Sequence, residues 1–560
     1  MTAPLSVHAC LAYLTAAGSL LLRPGLPLLL LAALCSLPTP SVQAQSLPPV
    51  NANFGFGIVG IDNGDLSGNS ISNAGDVNGD GLDDILVGAP QANPLGRNKV
   101  GEAYLIFGKT DTTTVDLNDI RAGKGGFALA GSSQFGGYDF AGVSVSGAGD
   151  VNGDGLADLL VGASGAEPLG LTYAGQSYVI FGKTNTTPID LRDIEQGEGG
   201  FVIIGANFYD FSGDAVSSAG DVNGDGLADL LVGAREAEPS TVQETGLSYV
   251  VFGKTDTAPV DLQDVEQGLG GGFVIVGQGF KTRSGFHVSN AGDINGDGLD
   301  DVLVGAYAAD PRGKSKAGET YVVFGKTDTA PVRFVDLRAG IGGFIVFGIA
   351  TNDYSGDAIS AAGDVNADGL PDFIIGAPAA DVGGVFNTGE SYVVFGKTDN
   401  KPVQLALVRA GIGGFGISGA GQQARCGAAV SEAGDINQDG FADVIMLCDI
   451  ADPEGRVDAG EGYVIFGKRD TTKVEVQALR HGQGGYVIKG YSGDDPLGIS
   501  AGGGGDVNGD GRPDILFGAP GGDRGDLFSV GISYVLFGKD NTLPIDLFQR
   551  LSGPVPDRYR

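Results

Sequence analysis

A nine-residue, aspartate-rich loop occurs seven times in this 560-residue chain, and its regular spacing limits the possible folds more than any other feature. The copies are DVNGDGLDD (76–84), DVNGDGLAD (150–158), DVNGDGLAD (221–229), DINGDGLDD (293–301), DVNADGLPD (364–372), DINQDGFAD (435–443) and DVNGDGRPD (506–514). Successive copies start 74, 71, 72, 71, 71 and 71 residues apart. A fixed period of this size marks a repeat architecture, in which each unit buries its apolar face against the next.

Within each unit the same pieces follow in the same order. In the third, the alternating stretch Ala215 to Ala219 enters the loop and Leu230-Leu231-Val232-Gly233-Ala234 leaves it. Ser248-Tyr249-Val250-Val251-Phe252-Gly253-Lys254 and Gly272-Phe273-Val274-Ile275-Val276-Gly277 come next. Four short runs of Val, Ile, Tyr and Phe bounded by glycine read as four antiparallel strands, which make one propeller blade. The 99 glycines have no tripeptide period, so they punctuate strands and do not build a collagen helix. No stretch of 11 or more residues repeats apolar positions at helical spacing. Pieces such as Asp190-Leu191-Arg192-Asp193 allow one helical turn.

The expectation is an all-β, seven-bladed β-propeller of four-stranded antiparallel blades. Phe54-Gly55-Phe56-Gly57-Ile58-Val59-Gly60 has the fourth-strand pattern but precedes the first loop, and the seventh unit stops soon after Tyr534-Val535-Leu536-Phe537-Gly538-Lys539. The N-terminal strand is therefore expected to complete the last blade and close the ring. The propeller is assigned to residues 45–545, with a tail over 546–560.

Each loop offers side-chain oxygens at positions 1, 3, 5 and 9, a main-chain carbonyl at 7 and a glycine at 6 for the sharp turn, a set that suits one hard cation. The expected ligands are Asp76, Asn78, Asp80, Leu82 and Asp84 in the first loop, and Asp150, Asn152, Asp154, Leu156 and Asp158 in the second. The third and fourth supply Asp221, Asn223, Asp225, Leu227, Asp229, and Asp293, Asn295, Asp297, Leu299, Asp301. The fifth supplies Asp364, Asn366, Asp368, Leu370 and Asp372. The last two supply Asp435, Asn437, Asp439, Phe441, Asp443, and Asp506, Asn508, Asp510, Arg512, Asp514. Three carboxylates and an amide predict Ca2+, up to seven ions in all. Without a counter-ion, two carboxylates 4 Å apart repel by about 4 kcal/mol at an effective dielectric near 20. An EF-hand would carry a bidentate Glu at the twelfth position, where these loops have Val87, Val161, Val232, Val304, Ile375, Met446 and Phe517. Positions 4 and 8 vary (Ala367, Gln438, Pro371, Pro513), as expected of residues that supply no ligand.

These loops, the Ser-Gly pairs ahead of them (Ser67-Gly68, Ser212-Gly213, Ser355-Gly356) and the triplets Gly88-Ala89-Pro90, Gly376-Ala377-Pro378 and Gly518-Ala519-Pro520 resemble the FG-GAP repeat family. Its blades occur at the N-terminus of integrin α subunits and in many bacterial surface proteins, and the resemblance covers about residues 54 to 539. It implies a secreted member of bacterial type, with each calcium loop joining the first two strands of a blade on the face opposite the usual ligand face. Integrin propellers keep the metal set in only some blades, whereas all seven units keep it here. Nothing resembles the leg domains or membrane helix of an integrin α subunit.

The formal charge of −34 repels nucleic acid and anionic membranes and favours cations. Arg23, the apolar run Leu26 to Leu37 and Val42-Gln43-Ala44 read as a signal peptide over 1–44, placing the mature chain outside the cell, at its surface or in the periplasm, without a membrane span. In an exported chain the remaining Cys426 and Cys448 are expected to form a disulfide. They occupy the places of Ser212 and Ala234 in the third repeat.

The leading functional expectation is a calcium-stabilised binding or adhesion module for an extracellular protein or glycan, its variable face formed by loops such as Ala89 to Tyr104 and Ala306 to Tyr321. A polysaccharide hydrolase or lyase and a structural surface-layer repeat protein are the alternatives. With histidine only at His8, His287 and His481, and no nucleophile motif, no catalytic residue is assigned. Arg524-Gly525-Asp526 matches an integrin-ligand tripeptide, which chance produces easily in a chain this rich in Gly and Asp. The Phe-Gly-Lys lysines (Lys109, Lys183, Lys254) are expected to cap strand ends and not to bind phosphate.

Overall fold

The computed structural model describes residues 54–547 except 133–137, 239–244, 280, 420, 494–496 and 498. The expected signal peptide, and the tail beyond 547, lie outside the described residues. Seven sheets form a seven-bladed β-propeller. In the third, Ala215–Gly220, Asp229–Ala234, Leu247–Val251 and Gly272–Val276 pair antiparallel in that order. The first strands of consecutive repeats lie side by side around the ring, including Ser70–Gly75 beside Ser500–Gly505.

The expected ring closure is present. Gly55–Val59 pairs antiparallel with Ile532–Leu536, from Gly55 opposite Leu536 to Val59 opposite Ile532, so both chain ends contribute to one sheet. The four-stranded expectation needs correction, because every sheet has a fifth strand. In the third sheet it is Val332–Arg333, which comes from the next repeat and pairs parallel with Gly272–Val276. This two-residue segment lies on the way from the third to the fourth strand of its own repeat. It covers the outer edge of the preceding blade, an edge that would otherwise offer unpaired backbone groups. Two residues are too few to show a period in the sequence. A single helical turn follows, as expected, for example Leu191–Glu195, where the Asp190 side chain accepts from the Arg192 N–H.

The core consists of apolar layers between neighbouring blades. One layer joins Leu231, Val250 and Phe273 of the third blade to Val302, Val304, Tyr321 and Ile345 of the fourth, all fully or almost fully buried. Each buried Val, Ile or Phe side chain contributes roughly 1.5–3 kcal/mol. The blades approach closely at the glycine of the second strand. A Cβ on Gly162 or Gly233 would lie 2.0 or 2.2 Å from the carbonyl oxygen of Gly213 or Gly285 in the next repeat. No other residue fits there.

Candidate metal centre

Each aspartate-rich loop links the first two strands of its blade, as the family resemblance implies, and runs directly into a strand that begins at loop position 9 (Asp84–Ala89 in the first repeat). The glycine at position 6 is left-handed, with φ between 84° and 95° in the seven copies. Position 4 is left-handed as well, at φ 55° for Ala367 and 61° for Gln438, a conformation that costs a non-glycine residue about 1–2 kcal/mol.

In the first loop the Asp76 carboxylate organises the turn. Its Oδ1 accepts from the N–H groups of Gly79 (2.7 Å) and Asp80 (3.0 Å), and its Oδ2 from Gly81 (2.9 Å). Asp80 Oδ1 accepts from the Leu82 N–H at 3.0 Å, and Asn78 Nδ2 donates to Asp80 Oδ2 at 3.0 Å. Asp84 is fully buried, and its two oxygens accept from the N–H groups of Val77 (3.0 Å) and Gly108 (2.8 Å). Burial raises its pKa to about 7, with the carboxylates of Asp80 and Asp76 adding to the rise against those two hydrogen bonds. The equivalent Asp158, Asp229, Asp372, Asp443 and Asp514 also rise to about 7, and Asp301 to about 8, with burial the main cause each time.

The donor set is oxygen throughout, and its most buried carboxylate is held in an environment that disfavours negative charge. A hard cation would relieve that cost, so the chemistry of the residues fits calcium. Among the described residues, no three His, Cys, Asp or Glu side chains are already gathered as a metal cluster. The loop carboxylates face their own backbone N–H groups instead.

Position 8 has a role that its variability conceals. Its backbone N–H donates to the position-1 carbonyl of the preceding loop, from Asp83 to Asp506, Ala157 to Asp76, Ala228 to Asp150, Asp300 to Asp221 and Ala442 to Asp364, at 3.0–3.3 Å. The Asp83 and Asp300 carboxylates add a second bond by accepting from the N–H groups of Asp506 (2.7 Å) and Asp221 (2.8 Å). Pro371 and Pro513 have no N–H to offer, so two junctions lack the link. A bond made by the main chain leaves no residue signature, which is why the sequence does not reveal it.

The other candidates find their places. Cys426 and Cys448 are direct cross-strand partners and form a disulfide. The lysines do act at strand ends: Lys183 Nζ lies 4.0 Å from the ring centre of Phe127 in the preceding blade and donates to the Thr187 carbonyl. Arg524 is drawn into the protein by an ion pair with Asp116 at 2.5 Å and a bond to the Gly60 carbonyl, so the Arg-Gly-Asp arginine is not freely presented. On the face opposite the aspartate-rich loops, Leu95, Leu169, Phe386 and Phe528 are exposed.

The FG-GAP repeat model matches residues 67–106, 141–180, 212–251, 284–323, 355–394 and 498–536. The chain belongs to the FG-GAP repeat family. The sixth unit, with Cys426 and Cys448, falls between these FG-GAP matches. Integrin alpha pat-2 of Caenorhabditis elegans is 32% identical over 244 residues, 41% of this chain and 17% of that protein. Integrin alpha-PS2 of Drosophila melanogaster is 33% identical over 195 residues, 33% of this chain and 12% of that protein. Phosphatidylinositol-glycan-specific phospholipase D of Bos taurus is 31% identical over 175 residues, 30% of this chain and 19% of that protein. The FG-GAP chain thus spans less than a fifth of the length of these relatives. A solved structure of BBS1N in complex with ARL6DN aligns over 86% of this chain and 97% of that one at a TM-score of 0.40 and 9% identity, too distant to bear on function. Among the described residues no helix is long and apolar enough to cross a membrane.

Proposed function

We propose that this FG-GAP propeller is an extracellular binding or adhesion module whose blades are clamped by calcium. The observation that carries the reading is the recurrence, in all seven loops, of a buried position-9 carboxylate beside two further carboxylates, with an amide and a main-chain oxygen in the same turn. Calcium suits such a set better than magnesium, which gives up its water reluctantly. Each ion would tie the end of the first strand to the start of the second, leaving the opposite face free for recognition. Export is supported by the apolar leader and by the disulfide, a bond typical of oxidising compartments.

Thermal unfolding of the mature chain in calcium, in magnesium and in chelator tests the clamp. A large rise with calcium alone is expected; equal midpoints in all three would refute it. Binding to panels of glycans, matrix proteins and cell surfaces tests recognition, and silence across all of them would leave a structural role. The similarity to a phospholipase D covers 19% of that enzyme, so it supports shared repeats better than shared catalysis.

A further inference from the structure

The first strands of the seven blades enclose a central channel of about 600 Å3, within the range of small-molecule sites, roughly 300–1,000 Å3. Four residues before each loop the wall carries a serine in six repeats, from Ser72 to Ser431, and Gly502 in the seventh. Most of these hydroxyls are fittings between blades. Ser72 Oγ donates to the Asn73 carbonyl at 2.8 Å and accepts the Gly147 N–H of the next blade at 3.4 Å. Ser146 and Ser217 repeat both bonds with their own neighbours. At Gly502 neither bond can form. The Gly503 carbonyl loses its hydroxyl donor, and the Asn73 N–H loses the acceptor that its counterparts have. Packing does not require that glycine, since an added Cβ would meet nothing closer than 3.6 Å.

Beside this bare strand, on the sixth blade, stands Glu432, among the described residues the single ionisable side chain of the channel lining. The equivalent residues in the other blades are Asn73, Gly147, Ser218, Asn290, Ala361 and Gly503, all neutral. Its backbone N–H donates to Ser360 Oγ at 3.3 Å. Among the described residues its carboxylate has no hydrogen-bond or ion-pair partner, although it opens onto the channel. The enclosing walls desolvate it and raise its pKa, and no nearby cation opposes the rise. Asn73 and Asn290 already use Oδ1 to accept from Gly75 (2.8 Å) and Gly292 (2.6 Å), so what they can offer a guest is the donor end of the amide.

We propose that the channel binds a small hydrophilic organic ammonium compound, with the cationic group on the Glu432 carboxylate and the Gly503 carbonyl, and its oxygen atoms toward the donors of Asn73. A calcium ion fits this place poorly, because it takes six to eight oxygens and here meets one carboxylate. The groups proposed to hold the guest, Glu432, Gly503 and Asn73, lie outside the aspartate-rich loops.

Calorimetric titration of the mature chain, kept in saturating calcium, with glucosamine, glucose and acetate as probes tests the inference. Glucosamine is expected to bind at least tenfold more tightly than glucose, and acetate not at all. Glu432→Gln should lower glucosamine affinity at least tenfold while leaving the unfolding midpoint in place. Gly502→Ser, which restores the wall hydroxyl, should weaken binding as well. Equal affinity for glucosamine and glucose, no binding of glucosamine at 10 mM, or an unchanged affinity in Glu432→Gln would each overturn the proposal.

Discussion

The sixth blade and the other blades solve the same packing problem in different ways. In the first five repeats and the seventh, a second-strand glycine such as Gly233 sits so close to the next blade that no side chain could be added, while the third strand carries a small residue such as Ser248. In the sixth, the glycine is replaced by Leu447, fully buried, and the third-strand residue becomes Gly462. A Cβ on Gly462 would meet Leu447 Cδ2 at 3.1 Å and the Phe517 ring at 3.2 Å, so the two positions have exchanged volume. Cys426 and Cys448 join the hairpin covalently in the same blade. At its boundary with the seventh, where Pro513 removes the main-chain link between loops, Gln438 Nε2 donates to the Gly511 carbonyl at 2.9 Å and Arg512 Nη1 to the Ile436 carbonyl at 3.2 Å. Regular junctions are held by backbone and this irregular one by side chains, while the disulfide fastens the hairpin inside the sixth blade. The difference teaches that the repeat motif records one solution to blade packing, and that a blade can leave the motif without leaving the ring.

Removing calcium gives the sharpest contrast. A single site held at 100 times its Kd adds about 2.7 kcal/mol, so emptying seven loops should lower the unfolding midpoint by about ten degrees or more. Hydrogen exchange should then show the hairpin at 212–234 opening before the hairpin at 426–448, which keeps its disulfide. Simultaneous opening would erase the distinction between the blades. The next largest effect is expected from Cys426→Ser with Cys448→Ser in saturating calcium. Loss of a disulfide that closes a 22-residue separation should cost roughly 2–4 kcal/mol in denaturant unfolding, with new exchange concentrated in the sixth repeat.

Much of this organisation was legible before any coordinates. Seven loops at a near-constant step implied seven blades, the early Phe54 to Gly60 strand implied the closure seen between Gly55–Val59 and Ile532–Leu536, and the two cysteines fell at paired strand positions. Strand runs repeated seven times leave a strong signal. The two-residue fifth strand was not legible, because no periodicity can be read from Val332 and Arg333 alone. The loop-to-loop links were hidden because any residue except proline supplies the N–H. Glu432 was visible as a letter but meant nothing until the ring placed six neutral residues at the same level.

The main-chain links invite a smaller test. Pro371 and Pro513 demonstrate that the backbone at position 8 accepts proline, so Ala228→Pro should fold while losing its bond to the Asp150 carbonyl. The expected cost is about 1 kcal/mol in denaturant unfolding, the worth of one intramolecular hydrogen bond. Pro371→Ala should supply a missing N–H and give no loss beyond the entropy of a freer unfolded chain. If Ala228→Pro were silent, the links would not distinguish regular from irregular junctions.

The last contrast concerns acidity near the entrance to the first strand of the third repeat. Asp210 is buried, and burial raises its pKa to about 7 against a hydrogen bond from Asn207, with Glu266 and Glu238 adding to the rise. The sixth blade has Ala424 at the equivalent place, also buried, and carries no such burden. Between the unfolded value near 3.8 and about 7, the folded protein holds a proton that the unfolded chain has released. Stability contributed through this group must therefore fall as pH rises across that window, and level off above it. Asp210→Asn removes the titration, so its stability relative to the native chain should improve steadily from pH 4 to pH 7 in parallel urea unfolding series. Ala424→Asp would place the same carboxyl in the sixth blade and should introduce the same downward slope there. A native pH profile that ran parallel to that of Asp210→Asn would mean that Asp210 is ionised in the folded state throughout, and the acid-side difference between the blades would vanish.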